Sequence, residues 1–313
     1  MSAPEHVPVM AEEVLAYLAP SRGQVFADCT IGSGGHAELI LQAAPDTRVV
    51  GIDCDPCELE LAQTRLAKYG DRVQLVRSRY ERVLDVLREV HLENVDGLLI
   101  DCGVSMDQLA GGSIGRGRGF SHAGDEPLLM TLDPDQRTTA ALLLRELSEG
   151  ELREVFGQVL RGGEARRVVR AIVRERTREP IERTSRLTRI LQTALGRRGP
   201  ALAGRLSAAY LALRVAVNGE ISALREGIIN GVEALRPGGV MVLITFHSLE
   251  HRTARQTLRE LAGGPAGPPR LVGAPEREAK VRVLTPKPLF PSEAEISRNW
   301  AARSARLHSA IRL

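Results

Sequence analysis

Three aspartates each close an apolar run: Asp28 in "QVFADC", Asp53 in "RVVGID" and Asp101 in "VDGLLID". A glycine cluster, Gly32-Ser33-Gly34-Gly35-His36, follows the first of them and opens a helical pattern. A strand, a glycine turn and a helix make a ligand cradle, because glycine lets the backbone approach closely and the helix start offers free N–H groups. Gly32-x-Gly34-x-x-Ala37 also satisfies the dinucleotide fingerprint, and a plain tight turn would look the same, so the spacing alone does not choose. Two neighbours sharpen it. Asp53, about twenty residues on, is placed to accept both hydroxyls of an adenosine ribose. Asp28 sits before the first glycine, where a pyrophosphate gains nothing from an anion but a ligand with an ammonium and a sulfonium does. S-adenosylmethionine (SAM) is such a cofactor, so methyl transfer is preferred over hydride transfer, for which no constellation is present. Asp101 points at the same crevice, outside the carboxyl ends of the strands. The bland alternatives are an Asp53 that caps the next helix at "DCDP" and an Asp101 that caps a turn.

These side chains need a parallel sheet to bring them together. Strand candidates at 24–29, 48–53, 73–77 and 95–101 alternate with helical patterns at 34–44, 56–69 and 80–91, a βαβ rhythm. The rhythm stops at about 106. A Gly-rich stretch runs to about 125, and 135–206 reads as helical. "LRPGGVMVLITF" (235–246) restores the rhythm, with Pro-Gly-Gly expected to end a helix and launch a buried strand. A helix over 249–262, a Gly/Pro loop, "VRVLTP" and "RSARLHSAI" complete the chain. The expected class is α/β, one doubly wound domain interrupted after its fourth strand by a helical insert. Its parts are 1–105, 106–207 and 208–313.

Composition bounds the rest. At 313 residues and 43% hydrophobic the chain builds one large domain or somewhat more. Aromatics are only 3%, so aliphatic residues must form the core. No run of 18 apolar residues exists and the start lacks a signal-peptide pattern, so neither a membrane nor secretion is expected. Four cysteines in a chain this long do not suggest a disulfide framework, which points to a cytoplasmic setting. The net charge of +3 hides an asymmetry: residues 151–205 hold fourteen Arg, no Lys and six Glu, a net +8. Arg166, Arg170, Arg174 and Arg178 would form one stripe on a helix, suited to RNA phosphates or simply to solvent. Phe120, in "RGFS", would either stack on a splayed base or anchor its loop.

Seven stretches together carry a resemblance: "HVPVMAEEVLAYL" (6–18), "DCTIGSGGHAELIL" (28–41), "VDGLLIDCGVS" (95–105), "RGFS" (118–121), "LALRVAVNGEI" (211–221), "PGGVMVLITFHSLEHR" (237–252) and "RSARLHSAIR" (303–312). The chain resembles the bacterial small-subunit 16S ribosomal RNA methyltransferases that modify the N4 amino group of a decoding-centre cytidine. The resemblance implies a Rossmann-like class I SAM-dependent fold with an inserted α-helical substrate-recognition domain. It implies SAM as cofactor and 16S rRNA in the small subunit as partner. It places Gly34, Gly35, His36, Asp53, Tyr80, Asp101 and Gln108 on cofactor-binding positions, with Tyr80 where the family usually has Phe.

Departures cluster in and around the insert. Ser105-Met106-Asp107-Gln108-Leu109-Ala110 replaces Ser-Ser-Pro-Gln-Leu-Asp, and Glu126 to Asp133 departs from Gly-Pro-Leu-Asp-Met-Arg-Met-Asp. Gly162-Gly163-Glu164 and Ser207-Ala208-Ala209-Tyr210-Leu211 depart from Gly-Glu-Glu-Arg-Phe and Thr-Arg-Thr-Phe-Gln. His251 replaces the Asp of His-Ser-Leu-Glu-Asp. A SAM-binding ribosome-assembly factor with lost or retargeted activity is the rival reading.

Methylating an exocyclic amine requires a group that aligns a weak nucleophile and accepts its N–H, and Asp101 or the backbone after it is the candidate catalytic element. No metal is required, and an oligomer is compatible with the sequence. Cys102 lacks the preceding Pro of a C5-cytosine methyltransferase and reads as a core residue. Cys54-x-x-Cys57 lacks two further ligands at fitting spacing for zinc, although Cys29 and Cys102 could supply them. His247 and His251 share a helical spacing that suits a metal, but a helix cap or substrate contact fits the neighbouring Glu better.

Overall fold

The computed structural model describes residues 8–22, 24–105, 108, 117–196, 200–263 and 278–313. The first half alternates as α1 (Ala11–Leu18), β1 (Val25–Asp28), α2 (Gly35–Ala43), β2 (Arg48–Asp53), α3 (Pro56–Leu66), β3 (Val73–Arg77), α4 (Val83–Glu89) and β4 (Val95–Asp101). Among the described residues five helices follow: α5 (Ala140–Glu146), α6 (Glu149–Gly157), α7 (Gly162–Arg176), α8 (Thr184–Leu195) and α9 (Pro200–Asn218). The chain ends with α10 (Glu220–Ala234), β5 (Leu235–Thr245), α11 (Ser248–Leu261), β6 (Val281–Val283), α12 (Glu293–Arg298) and β7 (Arg306–Arg312).

Local chemistry sets the starts of these elements. Asp55 caps α3 by accepting from Cys57 N–H at 3.1 Å, with Pro56 in the first turn. α6 opens on a Ser148/Glu151 capping box, and α11 on a His247/Glu250 box. β4 is buried at nearly every position, as a central parallel strand covered on both faces must be.

The chain divides into two compact units, Met1–Gly103 with Ile221–Leu313, and Val104–Glu220. The sequence reading ends the insert at 207, whereas α9 runs unbroken through that position and the second unit extends to Glu220. The first unit holds a seven-stranded sheet in the order β3-β2-β1-β4-β5-β7-β6, with β7 antiparallel to both neighbours. This is a doubly wound α/β sheet in which the order reverses between β1 and β4, the topological switch point at which such sheets bind ligands. One apolar layer, built on Phe26, Ile40, Leu99 and Val242, covers one face of the sheet. Another, built on Leu98, Ile100, Ile228 and Leu243, covers the opposite face. Pro237-Gly238-Gly239 does not launch β5 as expected. Val95 already pairs with Leu235, and the register slips before Gly97 meets Val240, so this tripeptide lies within a bulged ladder.

The second unit has its own core, centred on Leu128, Leu144, Phe156, Val168, Ile172, Leu187 and Leu213. Phe120 is buried in it, so it anchors its loop.

Close packing on β4 gives a test. A Cβ at Gly97 would lie 2.7 Å from two ring carbons of Phe26 and 3.0 Å from Leu18 Cδ2. Gly97→Ala is therefore expected to lower unfolding free energy by about 1–3 kcal/mol through overpacking, read by urea denaturation. A neutral result would mean that the Phe26 side moves freely.

Candidate cofactor and active site

Parallel register brings the three aspartates to one end of the sheet on adjacent strands. Asp28 pairs with Gly51 on β2 and with Leu99 on β4, while Asp53 and Asp101 end those two strands. The turn after β1 is held from both sides. Cys29 N–H donates to Leu99 O at 2.9 Å and Ile31 N–H to Ile52 O at 2.9 Å. Thr30 Oγ1 accepts from Asp101 N–H at 2.7 Å, a link across the switch point that sequence reasoning missed, because nothing about a lone Thr marks it. Gly32 and Gly34 have φ of +50° and +85°, which L side chains rarely adopt, and Gly34 is the residue before α2. A Cβ at Gly34 would also press on Leu66 at 3.1 Å.

Asp53 is fixed by two backbone donors, Gly32 N–H to Oδ2 at 3.0 Å and Asp55 N–H to Oδ1 at 2.9 Å. It does not cap α3; Asp55 does. Each oxygen keeps a further lone pair for an incoming hydroxyl. Burial raises its pKa to about 6, against the lowering effect of those bonds.

Asp28 is 1% exposed. Burial, opposed by the Thr30 N–H bond and helped by the charge of Asp53, pushes its pKa up to about 7. Asp101 is raised well above the usual carboxylate range, chiefly by burial, then by the charges of Asp28 and Glu250. Its Oδ1 is sealed from solvent and has no hydrogen-bond partner among the described residues, although the side chain as a whole keeps 23% exposure. Three neighbouring carboxylates all displaced towards the neutral form make a crevice that favours a cationic ligand.

His36 lies in the first turn of α2 and is buried. Val9 O can only accept, so His36 Nε2–H donates to it at 2.9 Å. In the neutral ring Nδ1 then faces Asp101 Oδ2, 3.8 Å away. Tyr80 follows β3, and its ring lies against α10, where a Cβ on Gly227 would come within 2.6 Å of Cδ2. Gly35 follows Gly34 into α2 beside Pro8, whose Cγ would be 2.8 Å from an added Cβ. Gln108 belongs to the second unit, where its Oε1 accepts from Ser105 N–H at 3.0 Å and its own N–H donates to Ser105 Oγ at 3.1 Å. Its neighbours Met106, Asp107, Leu109 and Ala110 lie outside the described residues, as does part of the basic loop.

Glu250 is a second group that sequence reasoning did not single out. Its Oε2 accepts from Phe246 N–H at 2.7 Å and His247 N–H at 3.2 Å, which fixes the loop after β5. His247 is the cap of α11. His251 Nδ1 meets His308 Nε2 at 3.0 Å. Burial and the charges of Arg306 and Arg255 lower both pKa values, His308 to about 4, so the pair is neutral near pH 7 and shares one proton. All four cysteines are free. Cys102 packs in the core, and burial beside Asp28 raises the Cys29 thiol well above its usual range.

In the second unit the arginines divide. Arg176 donates to Leu144 O and Leu147 O, Arg205 to Leu195 O and Glu164, and Arg186 to the backbone of Glu175 and Glu179. Arg166, Arg170 and Arg174 are exposed on α7, while its Ala165, Val168, Val169 and Ile172 are buried. Arg178 is exposed beyond the end of α7, so the four do not share one helix, and Arg174 and Arg178 both pair with Glu175 at 3.2 Å.

The raised carboxylates make a stability prediction. Asp28 has a folded pKa of about 7 against an ordinary 3.8. The folded state therefore holds its proton across that window, and stability falls as pH rises through it. Asp28→Asn is expected to raise the melting temperature of the ligand-free protein at pH 8 and to narrow the gap between pH 5 and pH 8. A variant no more stable than its parent at pH 8 would refute the charge assignment.

Comparison with known proteins adds the family. Residues 3–313 match the model of the MraW methylase family. A protein from Symbiobacterium thermophilum named ribosomal RNA small subunit methyltransferase H is 39% identical over 315 residues, covering 98% of this chain and 96% of its own. One of the same name from Geotalea uraniireducens is 39% identical and covered in full on both sides. Another, from Syntrophotalea carbinolica, is 41% identical over 312 residues, covering 99% of this chain and 98% of its own. The methyl-transfer reading of the aspartate crevice and the end-to-end match converge: this chain belongs to the MraW methylase family.

Proposed function

We propose that the protein transfers a methyl group from SAM to the N4 amine of a cytidine in 16S ribosomal RNA, on the small subunit. The observation that carries this is the set of three adjacent strand-end carboxylates, all raised towards neutrality, in a chain related over its full length to small-subunit rRNA methyltransferases. The crevice residues fit the cofactor: Asp101 Oδ1 is an orphaned buried acceptor, and Asp28 is a carboxylate that a cation would stabilise. SAM when bound supplies an electrophilic methyl on a sulfonium. Asp53 holds the ribose hydroxyls with its remaining lone pairs. Asp28 offsets the positive charge, Gly34 and Gly35 give the close backbone approach, and His36 and Tyr80 complete the cofactor-binding set of the first unit; Gln108, in the second unit, is assigned to the cofactor by the family resemblance alone.

Asp101 is the proposed catalytic residue. The cytidine amine is a weak nucleophile, because its lone pair is delocalised into the ring. A carboxylate that accepts its N–H aligns it for in-line displacement and stabilises the positive charge that grows on nitrogen. Asp101 accepts only when ionised, a form the SAM cation would favour against the burial that raises its pKa, and once ionised it is a better proton acceptor than an ordinary aspartate. His36 Nδ1 stands 3.8 Å from its Oδ2. The exposed arginines of α7 supply phosphate contacts. No described helix is long and apolar enough to cross a membrane. A cytoplasmic location follows from the ribosomal substrate.

Incubation with isotope-labelled SAM and small subunits lacking the modification should yield labelled N4-methylcytidine on nucleoside mass spectrometry. Label in no nucleoside, with SAM binding intact, would turn the reading to an assembly factor. Asp101→Ala is expected to lower turnover at saturating SAM by roughly 10²- to 10⁴-fold; full turnover would remove Asp101 from catalysis. Because a cation favours the ionised Asp28, SAM binding near pH 7 should release protons, and affinity should fall as pH drops through about 7. Calorimetry in buffers of different ionisation enthalpy reads both effects, and binding without proton release would exclude Asp28 as the countercharge.

A further inference from the structure

The chain has one tryptophan, and it is on the surface. Trp300 is 68% exposed and Phe290 is 63% exposed. Among the described residues the other exposed large hydrophobics are Leu61 and Leu313, neither of them aromatic. Each of the two rings carries an arginine: Arg303 Cζ lies 5.7 Å from the Trp300 ring centre, and Arg306 Cζ 5.6 Å from that of Phe290. In a chain with only 3% aromatics, two such pairs on one segment call for a ligand explanation.

Their place in the fold points to the ligand. Asp101 is paired with Ile244, and Ile244 with Leu307, so three strands carry one row from the candidate catalytic carboxylate to β7. At strand spacing, Leu307 is about 10 Å from Asp101. Arg306 is the next residue, paired with Thr245 at the carboxyl edge of β5. Leu289 bonds Leu307 in both directions at 3.0 Å, so Phe290 lies one strand further out on the same edge. Trp300 opens the short helical turn Trp300–Ser304 that leads into β7 at that edge. The surrounding charge is cationic. Lys287, Arg298 and Arg303 are exposed on the same segment. Of its two acids, Glu295 is already engaged by Met10 N–H. Arg255 of α11 adds a further positive charge near His308.

We infer that Phe290 and Trp300, with Arg306 and Arg303, form a stacking platform for single-stranded RNA that flanks the target nucleotide. The inference rests on the proposed rRNA methylation and names the surface that receives the strand next to the flipped base. Unpaired bases stack on aromatic and guanidinium planes, and neighbouring cations track the phosphates. Aromatic rings and arginine also mark protein interfaces; the excess of Lys287, Arg298, Arg303 and Arg306 over Glu293 and Glu295 on this segment favours a polyanion with π faces.

The lone tryptophan is the probe. The full-length protein is titrated with a short unstructured RNA oligonucleotide while its emission is followed, with heparin as a polyanion without bases. Saturable quenching by RNA and none by heparin is the expected result. Phe290→Ala and Trp300→Ala should each weaken binding of labelled RNA by roughly 5- to 100-fold, from the loss of one stacked base, and Trp300→Phe should retain most of it. SAM binding by calorimetry should be the same in all three variants, which shows that the sheet edge is intact. Emission indifferent to RNA, equal quenching by heparin, unchanged affinity in both alanine variants, or a dimer by sedimentation that Trp300→Ala dissolves would each overturn the platform. Labelled N4-methylcytidine formed without quenching refutes the platform alone. Quenching without any methylated cytidine leaves the platform standing and refutes the methylation.

Discussion

Three carboxylates are desolvated at the end of one parallel sheet, and the surrounding structure is arranged to hold them. Removing charge from water is costly, and here the cost appears as pKa values displaced upward at Asp28, Asp53 and Asp101. Backbone donors offset part of it. Thr30 N–H serves Asp28, and Gly32 and Asp55 N–H serve Asp53. Supplying those donors dictates the path of the chain after β1, which needs the left-handed φ of Gly32 and Gly34. Asp101 is the least compensated of the three. Its backbone is tied to Thr30 Oγ1 while Oδ1 has no described partner, so the group with the most unspent hydrogen-bonding capacity is the one proposed to meet substrate.

The same logic explains the loop after β5. Glu250 gathers the N–H groups of Phe246 and His247 and starts α11, and its negative charge also helps to raise Asp101. His251, where the resembled family carries Asp, is accommodated by His308 through one shared proton, because burial and two nearby arginines keep both rings neutral. The departures in the helical unit are absorbed in a similar way. Tyr210 is buried, with its hydroxyl donating to Thr184 O at 3.0 Å and within 2.9 Å of Thr188 Oγ1. Glu164 pairs with Arg205 at 3.3 Å. Tyr210 is part of that unit's core, while Glu164 and Arg205 form a half-buried pair.

Much of the fold was legible because hydrophobic periodicity and turn chemistry are local. β1 to β4 fall within a residue or two of the expected runs, since short β-branched stretches between helical patterns have few other uses. The bulge at Pro237-Gly238-Gly239 was not legible, because whether a Pro-Gly-Gly ends a helix or kinks a ladder depends on the strand beside it. Arginine roles were illegible for the same reason. Arg174 and Arg176 are neighbours with similar helical surroundings in sequence, yet Arg176 donates to the carbonyls that end α5 whereas Arg174 is exposed.

The sequence by itself determined the α/β class, the cradle after β1, the three aspartates and the family resemblance, because each is written in residue type and short spacing. Tertiary structure decided which aspartate caps a helix and which does not, that Phe120 is core, and that Thr30 bonds the Asp101 backbone while the charge of Glu250 reaches its side chain. It also placed two exposed aromatics near β7, Phe290 one strand beyond it and Trp300 in the turn that leads into it. Burial, desolvation and pairing across strands depend on residues 50 to 200 positions apart meeting in space, and no local pattern encodes where they meet.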